Sequence, residues 1–188
     1  ADKTKQEIVK ITKPNEKSDA ISIRPAFDTF SKIKLQNDSL NYKVPPEEIK
    51  NQVLDTLGAA FYVEVPEKAP GKIGFNFEIC EQMTEIFVNS PDASYYTITG
   101  GKMYEHYGKI ELRPGFKGYL VFNFETFDVV YESSEVVDGL LFSPQSIDYF
   151  ALEFDALEYP ALNQTEIIID DIMLWQDLEA FAKSILKI

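Results

Sequence analysis

Residues 167–175 read Ile-Ile-Ile-Asp-Asp-Ile-Met-Leu-Trp, which places two adjacent carboxylates inside an otherwise apolar run. An apolar run of this length is typical of a buried β-strand. Burying an ionised carboxylate without a partner is costly, so Asp170 and Asp171 need a cation, a cluster of backbone donors or an exit to solvent. The segment therefore predicts a buried strand in which a cation, backbone donors or solvent stabilises the two carboxylates.

Short apolar-alternating runs separated by Pro, Gly, Asn and Asp extend this strand pattern through the chain from Ile21. Such spacing is typical of antiparallel strands joined by turns. The clearest runs are 60–65, 72–80, 85–88, 95–99, 109–112, 118–124, 147–154 and 166–175. These eight runs predict an all-β fold, an antiparallel two-sheet β-sandwich of the jelly-roll type.

Two helices are expected beside the strands. The first is a short internal helix at 46–57, where Pro46 suits the first turn and Gly58 can end the helix. The second is C-terminal, because Asp177 can cap a segment whose apolar residues recur at helical spacing. Residues 1–20, rich in Lys and Glu, are interpreted as a linker or a loosely attached first strand. The predicted organisation is 1–20, a β-sandwich domain over 21–175, and a C-terminal helix over 176–188.

Composition limits the possible functions. The chain has 188 residues and a formal net charge of -13, which argues against nucleic-acid binding because neutralising phosphates needs clusters of Lys and Arg. No run approaches the ~18 apolar residues of a membrane span. Cys80 is the only cysteine, so an internal disulfide cannot form.

Alternation within the strands predicts an outer face with the chemistry of a sugar-binding surface. Inward residues such as Phe61 and Leu120 direct their neighbours Tyr62 and Tyr119 away from the core. Flat rings stack on sugar C–H faces, while amides and carboxylates hydrogen-bond hydroxyls. The alternative is an ordinary solvated sheet face. The residues predicted to face outward are Tyr62, Asn76, Glu78, Tyr119, Val121, Asn123, Tyr149, Glu153 and Asp155.

Further tyrosines surround Gly100-Gly101, which predicts a loop or hairpin near a sheet end. Loops at sheet ends often carry function, so these rings are candidates for sugar stacking, although two of them can equally close the sandwich edge. The tyrosines are Tyr95, Tyr96, Tyr104 and Tyr107. Trp175 ends the closing strand, and we favour a packing role in which it pins the C-terminal helix to the sandwich.

Two passages carry a family resemblance. Residues 109–124 (KIELRPGFKGYLVFNF) resemble the aromatic-lysine-glycine-tyrosine strand of carbohydrate-binding modules of the galactose-binding-domain-like β-sandwich class. Residues 169–174 (IDDIML) resemble the last strand of these modules. The resemblance implies a secreted or extracellular, non-catalytic domain that binds polysaccharide or oligosaccharide. It also implies attachment to other modules of a longer polysaccharide-degrading enzyme or assembly.

The same resemblance implies a structural calcium ion. Matched by position, Asp170 is the cation ligand and Asp171 is its neighbour. The modules usually add a carboxylate from an acidic, aromatic first strand, and residues 21–35 offer only Asp28. The alternative is that the carboxylates cap loop amides or lie where the strand reaches solvent.

No catalytic signature accompanies these features. His106 is the only histidine, and no Gly-x-Ser-x-Gly motif supplies an activated serine. Patterns such as His-Glu-x-x-His, Cys-x-x-Cys and the Walker motif do not occur. The sequence therefore predicts a polysaccharide-binding module, with a structural or adhesion domain of a multidomain cell-surface protein as the alternative.

Overall fold

The computed structural model describes residues 5–13, 16–24, 30–35, 58–81, 84–87, 94–123, 128–131, 136–137 and 147–186. Within these ranges the chain forms two antiparallel β-sheets and one α-helix near the C-terminus. The chain passes repeatedly from one sheet to the other, as in a jelly roll. This confirms the predicted all-β, two-sheet sandwich. The helix expected at 46–57 lies outside the described residues.

The first sheet contains seven of the described strands. They are β1 (Lys5–Lys13), β2 (Glu16–Arg24), β4 (Gly58–Glu64), β7 (Ser94–Thr99), β8 (Lys102–Tyr107), β10 (Lys117–Asn123) and β14 (Ile167–Trp175). Their order across the sheet is β1-β2-β14-β4-β10-β7-β8, so the closing strand β14 lies inside the sheet rather than at its edge. The stretch interpreted as a linker or loosely attached strand contains β1, which pairs with β2 over its whole length.

The second sheet also contains seven of the described strands. They are β3 (Phe30–Leu35), β5 (Ile73–Glu81), β6 (Thr84–Phe87), β9 (Ile110–Leu112), β11 (Asp128–Tyr131), β12 (Val136–Val137) and β13 (Ile147–Asp155). The order is β12-β11-β6-β5-β13-β3, and β9 pairs with the beginning of β5. A short 3₁₀ helix, Pro160–Gln164, connects β13 to β14 in the first sheet.

Phenylalanine rings form the centre of the core between the two sheets. Phe77 of the second sheet lies 5.3 Å from Phe61 and 4.5 Å from Phe122 of the first sheet, measured between ring centroids. These rings are fully buried, as alternation predicts for the inward positions of their strands. Replacing one such ring by alanine costs about 3–5 kcal/mol in stability, so this stack holds the sheets together.

The helix α1 (Leu178–Leu186) covers part of the outer face of the first sheet. The backbone N–H of Ala180 donates to Asp177 Oδ1 at 2.7 Å, which is the predicted N-cap. The apolar residues that α1 contributes to this contact are Leu178, Phe181, Ala182, Ile185 and Leu186. The expected C-terminal helix is therefore confirmed, and its apolar face packs within the molecule. In the described part of the chain, no helix is long and apolar enough to cross a lipid bilayer.

Trp175 joins α1 to the sheet. Its indole N–H donates to the carbonyl of Ala59 at 3.2 Å, and the ring lies so close to Gly58 that a Cβ there would overlap it. This confirms the packing role predicted for Trp175. Val121 was expected to be exposed, but α1 and Trp175 bury it completely, because a second layer covers its outward-facing side.

Candidate functional site

The two carboxylates of the closing strand lie at a β-bulge. Pairing between β14 and β4 shifts by one residue between Asp170 and Met173. Asp171 has φ +50°, a left-handed conformation that aspartate tolerates better than most residues. Because of the extra residue, Ile169 and Ile172 both point into the core although they are three positions apart. The bulge keeps the carboxylates out of the core without interrupting it.

Both aspartates lie on the outer side of the first sheet. Asp170 is opposite Tyr62 in the register and only 6% exposed, and the Tyr119 hydroxyl donates to Asp171 Oδ2 at 3.2 Å. Among the described residues, no three His, Cys, Asp or Glu side chains could together hold a metal ion. Asp28, the third residue of the predicted calcium set, lies outside the described ranges, so the calcium ion stays a prediction.

The predicted platform on the outer face of the first sheet is covered. Tyr62 is only 4% exposed, its ring packs edge-on against Tyr119 at 5.3 Å, and its hydroxyl donates to Glu64 Oε1 at 2.8 Å. Tyr96 packs in the cluster that α1 buries. Alternation predicted the direction of these rings correctly, but the elements that lie over the face leave them little surface for stacking.

The predicted hairpin around Gly100-Gly101 is present. Thr99 pairs with Lys102, so the loop has two residues, and both glycines have positive φ, +60° and +74°, as a type I′ turn requires. Tyr95 of this hairpin faces the core and is 3% exposed. It therefore cannot serve as a stacking platform in this conformation.

His106 lies over the buried Tyr95 ring, with ring centroids 5.0 Å apart. The hydroxyl of Thr97 is 2.8 Å from its Nε2 atom, and burial lowers the pKa of the imidazole. These contacts give the lone histidine a packing role within the β7–β8 hairpin.

Tyr104 and Tyr107 are the large exposed rings of the edge strand β8, at 47% and 70% exposure. Three positions separate them, so the period-two alternation of a strand directs them to opposite faces. The Tyr107 hydroxyl donates to Glu105 Oε1 at 2.8 Å. The two rings therefore do not form one continuous platform.

The remaining predicted sugar-binding residues lie apart from these tyrosines. Glu78 is fully buried, and Asn123 is half-buried at the end of β10. Tyr149 belongs to β13, but its side chain lies outside the described part of the structure. Asn76 is half-buried and lines a cleft that contains several charged groups.

This cleft, called here the Tyr159 cleft, lies between the beginning of β5, the strand β9 and the segment after β13. It consists of two adjoining depressions of about 410 and 140 Å³, which share Glu158 and Tyr159. The larger one falls within the ~300–1,000 Å³ of typical ligand sites. Its other lining residues are Pro70, Gly71, Lys72, Pro160, Ala161 and Gln164. The smaller one is lined further by Gly74, Phe75, Asn76, Lys109, Glu153 and Asp155.

Tyr159 is the buried centre of the cleft. Its ring lies directly on the backbone of Gly74, where a Cβ would overlap it. The hydroxyl is within hydrogen-bonding reach of the Glu111 and Glu158 carboxylates, and its single proton can be donated to only one of them at a time. Burial, together with these two negative charges, raises the pKa of Tyr159 well above its usual range. The phenol therefore stays protonated at any physiological pH.

Two ion pairs flank Tyr159. Lys72 Nζ lies 2.8 Å from Glu111 Oε2, and Lys109 pairs with Glu158. The hydrogen bond from Lys72 lowers the pKa of Glu111, and the hydrogen bond to Glu158 raises the pKa of Lys109. Because these four side chains are partly exposed, they present charged donors and acceptors to solvent along the cleft.

Two further polar groups shape the smaller depression. Asp155 Oδ1 accepts hydrogen bonds from the N–H groups of Leu157 and Glu158, at 2.9 and 3.3 Å, and so holds the turn that carries Tyr159. The side-chain oxygen of Asn76 is buried and accepts no hydrogen bond from the described residues. Leaving a buried acceptor without a donor costs about 1–3 kcal/mol, which a donor on a ligand would recover.

The sequence predicted parts of this cleft but not their assembly. Asn76 was singled out, and Glu153 and Asp155 were expected to face outward, as they do. Lys109 and Glu111 are two positions apart in a predicted strand, so they lie on the same face. This spacing was the only sign in the sequence that they belong to one site. The segments are far apart in the chain, so only the pairing of β5 with β9 and β13 brings them together.

The chain matches no family model, and no match was found among curated proteins or among solved structures. The resemblance to galactose-binding-like modules therefore stays a prediction that rests on residues 109–124 and 169–174. The antiparallel two-sheet sandwich stands independently of that resemblance.

Proposed function

We propose that the chain is a non-catalytic carbohydrate-binding module that binds plant or microbial polysaccharide in the Tyr159 cleft. The feature that supports this most is the buried Asn76 oxygen in a cleft where two ammonium groups lie beside carboxylates. Sugar hydroxyls donate and accept hydrogen bonds at neighbouring positions, and they match such an array. The rings of Pro70 and Pro160 add apolar surface for sugar C–H groups.

In this proposal the module acts by keeping an appended glycoside hydrolase or a cellulosome-type assembly near its substrate. Attachment raises the effective concentration of the enzyme without any new chemistry. Such a role places the protein outside the cell. A structural calcium ion held by Asp170, with Asp171 and Asp28, belongs to the same proposal.

The second candidate is a structural or adhesion domain of a multidomain cell-surface protein, without glycan binding. The covered outer face of the first sheet favours it. Tyr62, Tyr96 and Tyr119 are packed under or beside other side chains, which is expected of a spacer domain whose surfaces are closed.

Affinity electrophoresis against xylan, β-glucan, mannan and pectin distinguishes the two functions. For a binding module we expect retardation by at least one polysaccharide. The Asn76→Ala variant should weaken this binding roughly tenfold, since losing one well-placed polar contact costs about 1.4 kcal/mol. Tyr107→Ala, which removes an exposed ring on β8, is the matched control and should bind normally.

The same gels locate the site if it lies elsewhere. Retardation that survives in Asn76→Ala but disappears in Tyr104→Ala or Tyr107→Ala would move the site to the β8 edge. Mobility unaffected by every polysaccharide would favour the adhesion domain. Unchanged thermal melting of each variant checks that the fold is intact.

A further inference from the structure

We infer that the smaller depression of the Tyr159 cleft selects polysaccharide with free hydroxyl groups and excludes O-acetylated polysaccharide, an inference that rests on the proposed carbohydrate binding and adds its specificity. The depression holds about 140 Å³, less than the ~300 Å³ at which typical ligand sites begin. It therefore suits one hydroxyl-bearing edge of a sugar unit. The rest of the bound chain lies in the adjoining depression of about 410 Å³.

The buried Asn76 oxygen makes a donor on the ligand necessary. Asn76 lines the smaller depression, and its side-chain oxygen accepts no hydrogen bond from the described residues. A sugar hydroxyl can donate to this oxygen, whereas an acetyl ester carries only acceptors. An ester at this point would leave the Asn76 oxygen without a donor and bring a second acceptor against it, which is the costly case for a buried polar group.

Tyr159 adds a second acceptor to the same depression. The single proton of its hydroxyl goes to one of two carboxylates, Glu111 or Glu158, so the phenol oxygen offers a ligand its lone pairs. Lys109, the ammonium group that lines the depression, donates to Glu158. A free sugar hydroxyl, which donates, therefore matches both Asn76 and Tyr159.

The size of the depression acts in the same direction. The Tyr159 ring lies directly on the Gly74 backbone, and the turn that carries it is held by Asp155 Oδ1, which accepts hydrogen bonds from Leu157 and Glu158. This wall cannot move back without losing those contacts. Acetylation adds a carbonyl and a methyl group, which would need the space that the sugar edge itself occupies.

The test compares each polymer with its own acetylated form in affinity electrophoresis on the full chain. The polymers are β-glucan, mannan and xylan, each used in its free form and after extensive chemical O-acetylation. Acetylation adds no charge, so the comparison reports hydrogen bonding and size. We expect the polymer that retards the chain to bind roughly tenfold more weakly once it is acetylated, since one buried acceptor loses its donor.

Variants show whether the smaller depression causes the selectivity. Asn76→Ala removes the acceptor, so binding of the free polymer should fall roughly tenfold while binding of the acetylated polymer changes little, and the ratio of the two affinities should approach one. Tyr159→Phe removes the second acceptor, keeps the ring on Gly74, and should narrow the ratio severalfold. Tyr107→Ala on β8 is the matched control and should keep the wild-type ratio. Thermal melting checks the fold of each variant, so either cleft variant provides the test.

Each failure has a distinct meaning. Equal retardation by the free and acetylated forms of a polymer overturns the inference while carbohydrate binding stands. A wild-type ratio in folded Asn76→Ala and Tyr159→Phe also overturns it, because the selectivity would then arise elsewhere. Retardation by none of the polymers overturns the proposed function and the inference with it.

Discussion

At the scale of single residues, Asp171 allows β14 to form the bulge that keeps both carboxylates on the outer face of the first sheet. It adopts φ +50° at the bulge, and its carboxylate accepts a hydrogen bond from Tyr119. Two adjacent carboxylates in an apolar run required a special arrangement. The one found is a local change of register, which directs the aspartates to the outer face while Ile169 and Ile172 remain in the core.

Substitutions at position 171 test this role. Asp171→Val should destabilise the protein by about 1–3 kcal/mol, because a β-branched residue at positive φ is strained and the contact with Tyr119 is lost. Asp171→Asn, the control, tolerates the same backbone conformation and keeps an acceptor oxygen, so it should cost much less. Urea denaturation measures both free energies of unfolding. A valine variant as stable as the asparagine variant would contradict this role.

Residue types alone could not reveal which tyrosines are accessible. Tyr62 and Tyr107 both belong to strands whose tyrosines were candidate platforms, yet Tyr62 is 4% exposed and Tyr107 is 70% exposed. Alternation determines the side of the sheet to which a ring points. Whether another element lies above that side depends on contacts between distant segments, which periodicity does not contain.

At the scale of elements, α1 is the layer that covers part of the outer face of the first sheet. Its Phe181 and Ala182 pack with Val121 and Trp175 on a face that strand alternation indicated was open. The apolar stripe of the helix could be predicted from the sequence. The surface on which this stripe packs could not be predicted from it.

Deleting residues 177–188 tests whether α1 belongs to the domain. We expect a loss of several kcal/mol in unfolding free energy, since Val121 and Trp175 would become exposed at about 1.5–3 kcal/mol for each large buried side chain. Phe181→Ala should reproduce part of the loss, whereas Ser184→Ala, on the exposed side of α1, should have little effect. Thermal melting provides the comparison. Unchanged stability of the truncated chain would instead assign α1 to a partner-docking role.

At the scale of the whole molecule, the calcium ion proposed at Asp170 predicts a change in thermal stability. A structural ion binds the folded state preferentially, so added calcium should raise the melting temperature and EDTA should lower it. Asp170→Asn should remove most of this response, whereas Asp177→Asn, which removes a charge at the helix cap, should retain it. Identical melting curves with calcium and with EDTA would exclude the ion.

Much of the architecture could be predicted from the sequence because strand periodicity is a local property. The eight predicted runs coincide with strands of the structure, and the inward phenylalanines are those of the core. The strands β2 and β3 were not among the eight predicted runs, although residues 21–24 and 32–35 alternate between apolar and polar side chains as a strand does. The N-cap at Asp177 and the turn at Gly100-Gly101 follow from the chemistry of single residues and were also predictable.

Local sequence patterns were enough to predict the fold class, the phenylalanine core and the need to accommodate the carboxylates of Asp170 and Asp171, because each depends on residues a few positions apart. Only the packing of distant segments explains why α1 covers part of the outer face of the first sheet. It also decided that residues near 72, 110 and 158 meet around Tyr159. These contacts depend on how strands pair and layers stack, which no local pattern in the sequence encodes.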